Sequence, residues 1–192
     1  MSKDIIFTTE TDGLVRHQVV SDKYIHLFPN MLEFTAKIPG EEVYLQIYIN
    51  NQVDVPDKIS VINGITKDLI EERGITPVGA ANLILAFIEE GDCLVSHNVS
   101  FHIRVFKAFF HRLGMQLPEL STKCLQTDGT EVCAIPFKED DPKSNFKKPT
   151  LGEMKSHFGI EETTSKIESL LVVYNNMRDI LNEERPVKPA SF

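Results

Sequence analysis

The chain has 192 residues, 42% of them hydrophobic and 25% charged, enough for one domain with a substantial core and too few for two. Its formal net charge is −8, so its overall field opposes binding driven by phosphate contacts alone. No apolar run approaches the ~20 residues that span a bilayer, and the Met1-Ser2-Lys3-Asp4 start carries no signal-peptide pattern. These features predict a cytoplasmic protein without membrane contact.

Taken in chain order, Asp4 to Thr9 holds the apolar run Ile5-Ile6-Phe7 and predicts a buried strand. Met31 to Ile38 and Glu42 to Ile49 predict two more strands, separated by the turn signal Pro39-Gly40. In the second of these, Val43, Leu45, Ile47 and Ile49 share one face, with Tyr44, Gln46 and Tyr48 opposite. Thr66 caps a short helix through Glu72, and Thr76-Pro77 opens a longer one that Gly91 ends. Cys93-Leu94-Val95 reads as a short buried strand, followed by a helix from Asn98 or Ser100 to Leu113. Its phenylalanines Phe106, Phe109 and Phe110 belong mostly to the core, with one expected at the surface as a contact for a partner. Phe137 to Pro149 is loop-like. Lys138, Lys143, Lys147 and Lys148 there are nearly offset by Glu139, Asp140 and Asp141, so a solvated loop is preferred over a nucleic-acid contact. A short helix starts near Thr150 or Leu151, a long one runs from about Thr163 to Asn182, and residues 186–192 form a tail after a single domain, 1–185. Three cysteines, Cys93, Cys124 and Cys133, lack metal-ligand spacing and read as reduced thiols in or near the core.

Four segments carry a more specific signal. They are Ile5-Ile6-Phe7-Thr8-Thr9-Glu10-Thr11-Asp12-Gly13-Leu14, Ile62-Asn63-Gly64-Ile65-Thr66, Leu94-Val95-Ser96-His97-Asn98-Val99-Ser100-Phe101-His102, and Leu151 to Ile160. In this order and spacing they resemble the DEDDh 3′–5′ exonucleases, the family of polymerase proofreading subunits and related nucleases. The resemblance implies an α/β, ribonuclease-H-like mixed sheet, with three antiparallel strands followed by parallel strands, flanked by helices. The family's chemistry uses two divalent ions about 4 Å apart to drive an in-line phosphodiester displacement. Mg²⁺ or Mn²⁺ needs several carboxylates at that point.

Carried over residue by residue, the resemblance puts Thr8 at the first carboxylate position, Glu10 at the second and His102 at the third. Thr164-Ser165-Lys166-Ile167-Glu168-Ser169 is the best match to the last motif. It places Thr164 at the general base and Ser169 at the fourth carboxylate, or Glu168 if the register moves by one. Only Glu10 is a clear retained catalytic position. Gly13 and Leu14 match the turn that lies against a terminal nucleotide, and Asn98 and Phe101 match the turn between strand and helix; all four are the substrate-binding candidates. Glu10 alone reads better as a strand-end carboxylate than as a ligand, and His102 better as a polar residue on the open face of a former site.

The expectation is therefore a catalytically degenerate exonuclease-like protein, acting as a non-catalytic module that binds nucleic acid, a nucleotide or a protein, with no metal or other cofactor. A protein partner or self-association is expected at least as much as single-stranded nucleic acid. Two alternatives stay open. One is an active 3′–5′ exonuclease with a rearranged site, in which Glu10, Asp12 and Glu168, with His102, hold Mg²⁺ or Mn²⁺. The other is a structural subunit of a replication, repair or viral complex.

Overall fold

The computed structural model describes residues 3–17, 19–42, 44–89, 92–137, 146–161, 163 and 165–183. Strands β1 (Asp4–Thr11), β2 (Met31–Lys37) and β3 (Tyr44–Tyr48) form an antiparallel meander. Strand β4 (Cys93–Ser96) then pairs parallel with β1, and β5 (Ser121–Cys124) pairs parallel with β4. The sheet order is β3-β2-β1-β4-β5, so β1 is central. That position explains its sequence. Ile5, Ile6 and Phe7 are fully buried, as a strand covered on both faces requires, and the apolar run stops at Thr8 where the sheet opens.

Helices α1 (Asp57–Asn63), α2 (Lys67–Arg73) and α3 (Pro77–Phe87) follow the meander. Thr66 and Thr76 cap α2 and α3 by accepting hydrogen bonds from the Leu69 and Gly79 amides. Helix α3 ends at Phe87, before Gly91, which lies outside the described residues, as does Val43. Helix α4 (Val99–Arg112) connects β4 to β5, and α5 (Leu125–Cys133), α6 (Leu151–His157) and α7 (Lys166–Glu183) complete the chain. Thr150 and Glu153 form a reciprocal capping box at the start of α6.

The two faces of the sheet carry separate cores. On one, Ile5, Phe7, Phe34 and Ala36 meet Ala81 and Ile84 of α3 and Val105, Phe106, Phe109 and Phe110 of α4. On the other, Ile6 and Val95 meet Leu125 of α5, Met154 of α6, and Ile167, Leu170 and Val173 of α7. Gly129 permits the close approach of α5 and α6, since a Cβ there would lie 2.5 Å from the Met154 methyl. All three phenylalanines Phe106, Phe109 and Phe110 are buried, which corrects the expectation that one would be exposed. Each follows the spacing of the buried stripe of α4, and burying a side chain of this size stabilises by roughly 1.5–3 kcal/mol. The exposed large apolar residues lie elsewhere, at Leu14, Val61 and Ile62 among others.

The mixed sheet flanked by helices agrees with the expected fold class. Among the described residues no helix is long and apolar enough to cross a membrane. Residues 138–145, with Lys138 and Lys143, and residues 184–192, with the expected tail, lie outside the described residues.

Candidate functional site

Alternation along β1 sends Phe7 and Thr9 toward α4, and Thr8 and Glu10 to the opposite side. On that second side the pairing register sets Thr8 opposite Thr35 and Glu10 opposite Glu33. It then sets Thr35 opposite Gln46 and Glu33 opposite Tyr48. The resulting polar grid forms the floor of a cleft of about 490 Å³, and the first turn of α7 forms one wall with Ser165, Lys166, Ile167 and Glu168. The cleft opens at the carboxyl end of β1, where a ligand crevice is common in open α/β sheets.

The grid is held by hydrogen bonds from neutral donors. The Glu33 carboxylate accepts from the Thr35 hydroxyl at 2.7 Å and from Gln46 Nε2 at 2.8 Å. Burial, and then the Glu33 charge, push the Tyr48 hydroxyl above its ordinary pKa. Glu10 has a different partner. Lys166 Nζ donates to Glu10 Oε1 at 2.6 Å, an ion pair that ties the strand to the start of α7. Beside it, Thr8 Oγ1 is the one buried side-chain polar atom without a hydrogen-bond partner among the described residues. The Thr8 side chain is only 5% exposed.

The other positions matched to the metal site do not join this cleft as ligands. His102 is buried on the sheet-facing side of α4, edge-on to Phe7 and Phe101, and its Nδ1 accepts from the Thr9 amide at 3.2 Å. The Thr9 hydroxyl lies 2.9 Å from the same nitrogen. Burial, reinforced by the Lys166 charge, lowers the His102 pKa to about 3, so the ring is neutral at ordinary pH. This corrects the expectation that His102 lies on an open face. It occupies the same helical stripe as Val105, Phe106 and Phe109, a spacing already present in the sequence.

Ser169 is also buried; its hydroxyl donates to the Ser165 carbonyl at 3.1 Å and shares a hydrogen bond with the Thr163 hydroxyl. Glu168, one residue earlier, is the α7 carboxylate that lines the cleft. Thr164, the candidate general base, lies outside the described residues. Asp12, the possible extra ligand, is used structurally: its Oδ1 accepts from the Asn30 amide at 2.8 Å and its Oδ2 from Asn30 Nδ2 at 2.6 Å.

The turn after β1 is fixed from below. Arg112 donates to the carbonyls of Pro29 at 2.9 Å, Phe28 at 2.6 Å and Ile25 at 3.1 Å, which holds the segment that Asp12 and Asn30 close. Leu14 stands out from this turn with 77% of its surface exposed. A Cβ at Gly13 would make only an ordinary contact with Pro29 at 3.8 Å, so packing does not force a glycine there. Asn98 sits at φ 55° and ψ 51° as the N-cap of α4, a left-handed conformation that asparagine tolerates better than most residues. Its Oδ1 accepts from the Ser100 hydroxyl, and the neighbouring His97 ring bonds to the Pro149 carbonyl at 2.9 Å. Phe101 is half-buried against the core. Asn98 and Phe101 therefore shape the turn between β4 and α4.

The side chains matched to the metal site are directed to other partners or carry no charge. Thr8 supplies no charge, His102 and Ser169 are turned to other partners, and Glu10 already holds an ammonium. Among the described residues, no group of three or more His, Cys, Asp or Glu side chains is arranged to hold a metal ion. Lys166 and Glu33 were not singled out from the sequence. The alternation Glu33-Thr35-Lys37 along β2 signals one polar strand face, whereas nothing local marks Lys166 as the partner of a residue 156 positions earlier.

No protein-family model matches the sequence, and no curated protein does. Solved structures do match. E. coli exonuclease I in complex with an oligonucleotide aligns with a TM-score of 0.66 and 18% identity over 96% of this chain and 42% of that one. A moderately thermophilic exonuclease I from Methylocaldum szegediense gives 0.67 and 15% over 93% and 41%. The zinc-bound form of the E. coli exonuclease I complex with single-stranded DNA gives 0.66 and 17% over 97% and 41%. The chain thus spans less than half the length of these proteins. At these identities the likeness is one of fold, and the fold is the ribonuclease-H-like fold of exonuclease I.

Proposed function

We propose that this chain is a catalytically silent exonuclease-fold module that captures single-stranded nucleic acid or a nucleotide in its cleft without a divalent ion. The observation that carries this reading is the dispersal of the ligand positions. The His102 ring is bonded to Thr9 on the α4 side of the sheet, and of the matched positions that line the cleft, Thr8, Glu10 and Glu168, Thr8 is uncharged. A two-metal displacement needs several carboxylates converging on the ions, so the side chains favour binding over cleavage. Tyr44, 53% exposed at the cleft, offers a face for a stacked base, and Leu14 projects from the turn after β1. The fold is one that binds single-stranded DNA in exonuclease I, which supports a nucleic-acid ligand.

Fluorescence anisotropy of a labelled single-stranded oligonucleotide tests the reading, with EDTA in one series and Mg²⁺ or Mn²⁺ in another. The expected result is the same affinity in both and no shortening of the oligonucleotide. The salt slope is expected to be shallow. Lys37 and Lys166 are the only described cations lining the cleft and Lys166 is paired with Glu10, so one phosphate contact on a single strand gives a slope of about −0.7. Mn²⁺-dependent digestion from the 3′ end, abolished by Glu10→Ala, would sink the reading.

A second reading, a protein-binding scaffold, is favoured by one observation. Helix α1 buries none of its residues, and Val61 and Ile62 are 87% and 79% exposed side by side. Failure of the oligonucleotide to bind in either series, together with loss of an assembly on Val61→Asp/Ile62→Asp, would favour this scaffold instead.

A further inference from the structure

We propose that Lys166 is a resident cation, its ammonium balancing Glu10 in place of a divalent ion and excluding such an ion from the cleft. The inference deepens the reading of the cleft given above and rests on it.

The argument starts from charge. Glu10 and Glu33 face each other directly across an antiparallel pair, where like charges oppose strand pairing. Glu33 is satisfied by neutral donors, Thr35 and Gln46. Glu10 instead takes the Lys166 ammonium at 2.6 Å. With a neutral Thr8 two residues before it, Glu10 and Lys166 form a pair of one carboxylate and one ammonium. A divalent ion at Glu10 would have to displace or face this ammonium, and with Thr8 uncharged and the Glu33 carboxylate held by Thr35 and Gln46 it would find few of the several oxygen ligands that a hard cation needs. The uncharged Thr8 and the cationic Lys166 are therefore complementary features.

Geometry supplies a second, independent observation. Thr8 Oγ1 is buried, unpartnered, and on the cleft side of β1. A polar atom in that state calls for an explanation, and a hydrogen-bonding occupant of the cleft supplies one. The occupant admitted beside Lys166 is a hydrogen-bonding group of neutral or anionic ligand chemistry, because the ammonium already holds the cationic position. The pair also links β1 to the first turn of α7, so the cleft wall is assembled from the protein's own charges.

The test compares wild type, Lys166→Ala, Lys166→Arg and Lys166→Ala/Glu10→Gln by Mn²⁺ titration followed by electron paramagnetic resonance, with thermal melting in parallel. Wild type and Lys166→Arg are expected to show no Mn²⁺ site dependent on Glu10 and no Mn²⁺-induced rise in Tm. Lys166→Ala is expected to gain Mn²⁺ affinity by about tenfold or more, the scale of losing one unit-charge competitor, and to be stabilised by the ion. The double variant is expected to lose that gain. Equal Mn²⁺ affinity in wild type and Lys166→Ala, without cleavage of an oligonucleotide, would overturn the inference and leave the silent-module reading standing. Cleavage by wild type would overturn both. Should Lys166→Ala fail to fold, Lys166→Arg and wild type still decide: a Mn²⁺ site in either that Glu10→Gln removes refutes the resident cation.

Discussion

The two sides of β1 differ in what their polar groups are for. On the α4 side, Thr9 and His102 complete one another, with both Thr9 donors directed to a single ring nitrogen amid Phe7, Phe101 and Phe106. On the α7 side, Thr8 has no partner, Glu10 depends on a lysine from the far end of the chain, and Glu33 leans on its strand neighbours. The first side is a closed core in which even a histidine has been made neutral. The second buries Ile6 in its own core against α5, α6 and α7 and turns polar beyond it, where the buried Thr8 hydroxyl is left unsatisfied.

The sharpest way to break this comparison is a pair of aromatic truncations. Phe106→Ala, in the fully buried core, is expected to lower unfolding free energy by about 3–5 kcal/mol in urea denaturation. Tyr44→Ala, half-exposed on the cleft, is expected to cost less than about 1 kcal/mol of stability. It is expected to weaken oligonucleotide binding by about 1–3 kcal/mol through a lost stacking face. Comparable stability losses from the two would show that the cleft side carries structural weight that its exposure hides.

A smaller effect comes from pH. His102 has a native pKa of about 3 against an ordinary histidine value of 6.5, so the unfolded chain takes up a proton first as pH falls. Stability is therefore fully present above about pH 6.5 and declines by about 1.4 kcal/mol per pH unit below it, until the native ring also protonates. Between about pH 7.5 and pH 5 this contribution amounts to roughly 2 kcal/mol. His102→Gln, which keeps an acceptor for the Thr9 amide but does not titrate, is expected to lose this part of the pH dependence, so that the stability difference between wild type and variant shifts by roughly 2 kcal/mol over that interval. An unchanged pH slope in the variant would place the titration elsewhere and remove His102 from the closed side.

Much of this was legible in the sequence. The apolar run of β1, the alternation Tyr44-Gln46-Tyr48 and the caps Thr66, Thr76 and Thr150 are local signals, and the structure follows them. Strand β5 and helix α5 were not anticipated because their stability is not local. Ser121 to Cys124 has little apolar character, and α5 contains Thr127, Gly129 and Thr130, poor helix formers that persist because Gly129 fits against Met154. At the site, Glu10 and its strand neighbours follow from alternation, but the register of α7 does not. Whether Glu168 or Ser169 faces the cleft differs by about 100° of helical rotation, and that rotation is set by packing of Ile167 and Leu170 rather than by any motif. Lys166 was hidden for the same reason.

The last test separates the sides at a single atom. Thr8→Val keeps the shape of the side chain and deletes the unpartnered hydroxyl. A valine in place of a bonded threonine ordinarily costs stability, since the partner is left unsatisfied. Here no partner is lost, and the cost of burying an unpaired hydroxyl, on the order of 1 kcal/mol or more, is relieved. Unfolding free energy is therefore expected to rise by about 0.5–1 kcal/mol, while affinity for an occupant of the cleft falls because Oγ1 is no longer there to meet it. Thr9→Val, one residue on, is expected to do the opposite on stability, since it strips a hydroxyl from the His102 ring. Opposite signs at adjacent positions, read by chemical denaturation, are what the division between the two sides of β1 requires; a loss of stability at both would show that Thr8 is satisfied in solution and that the cleft does not hold a polar group in reserve.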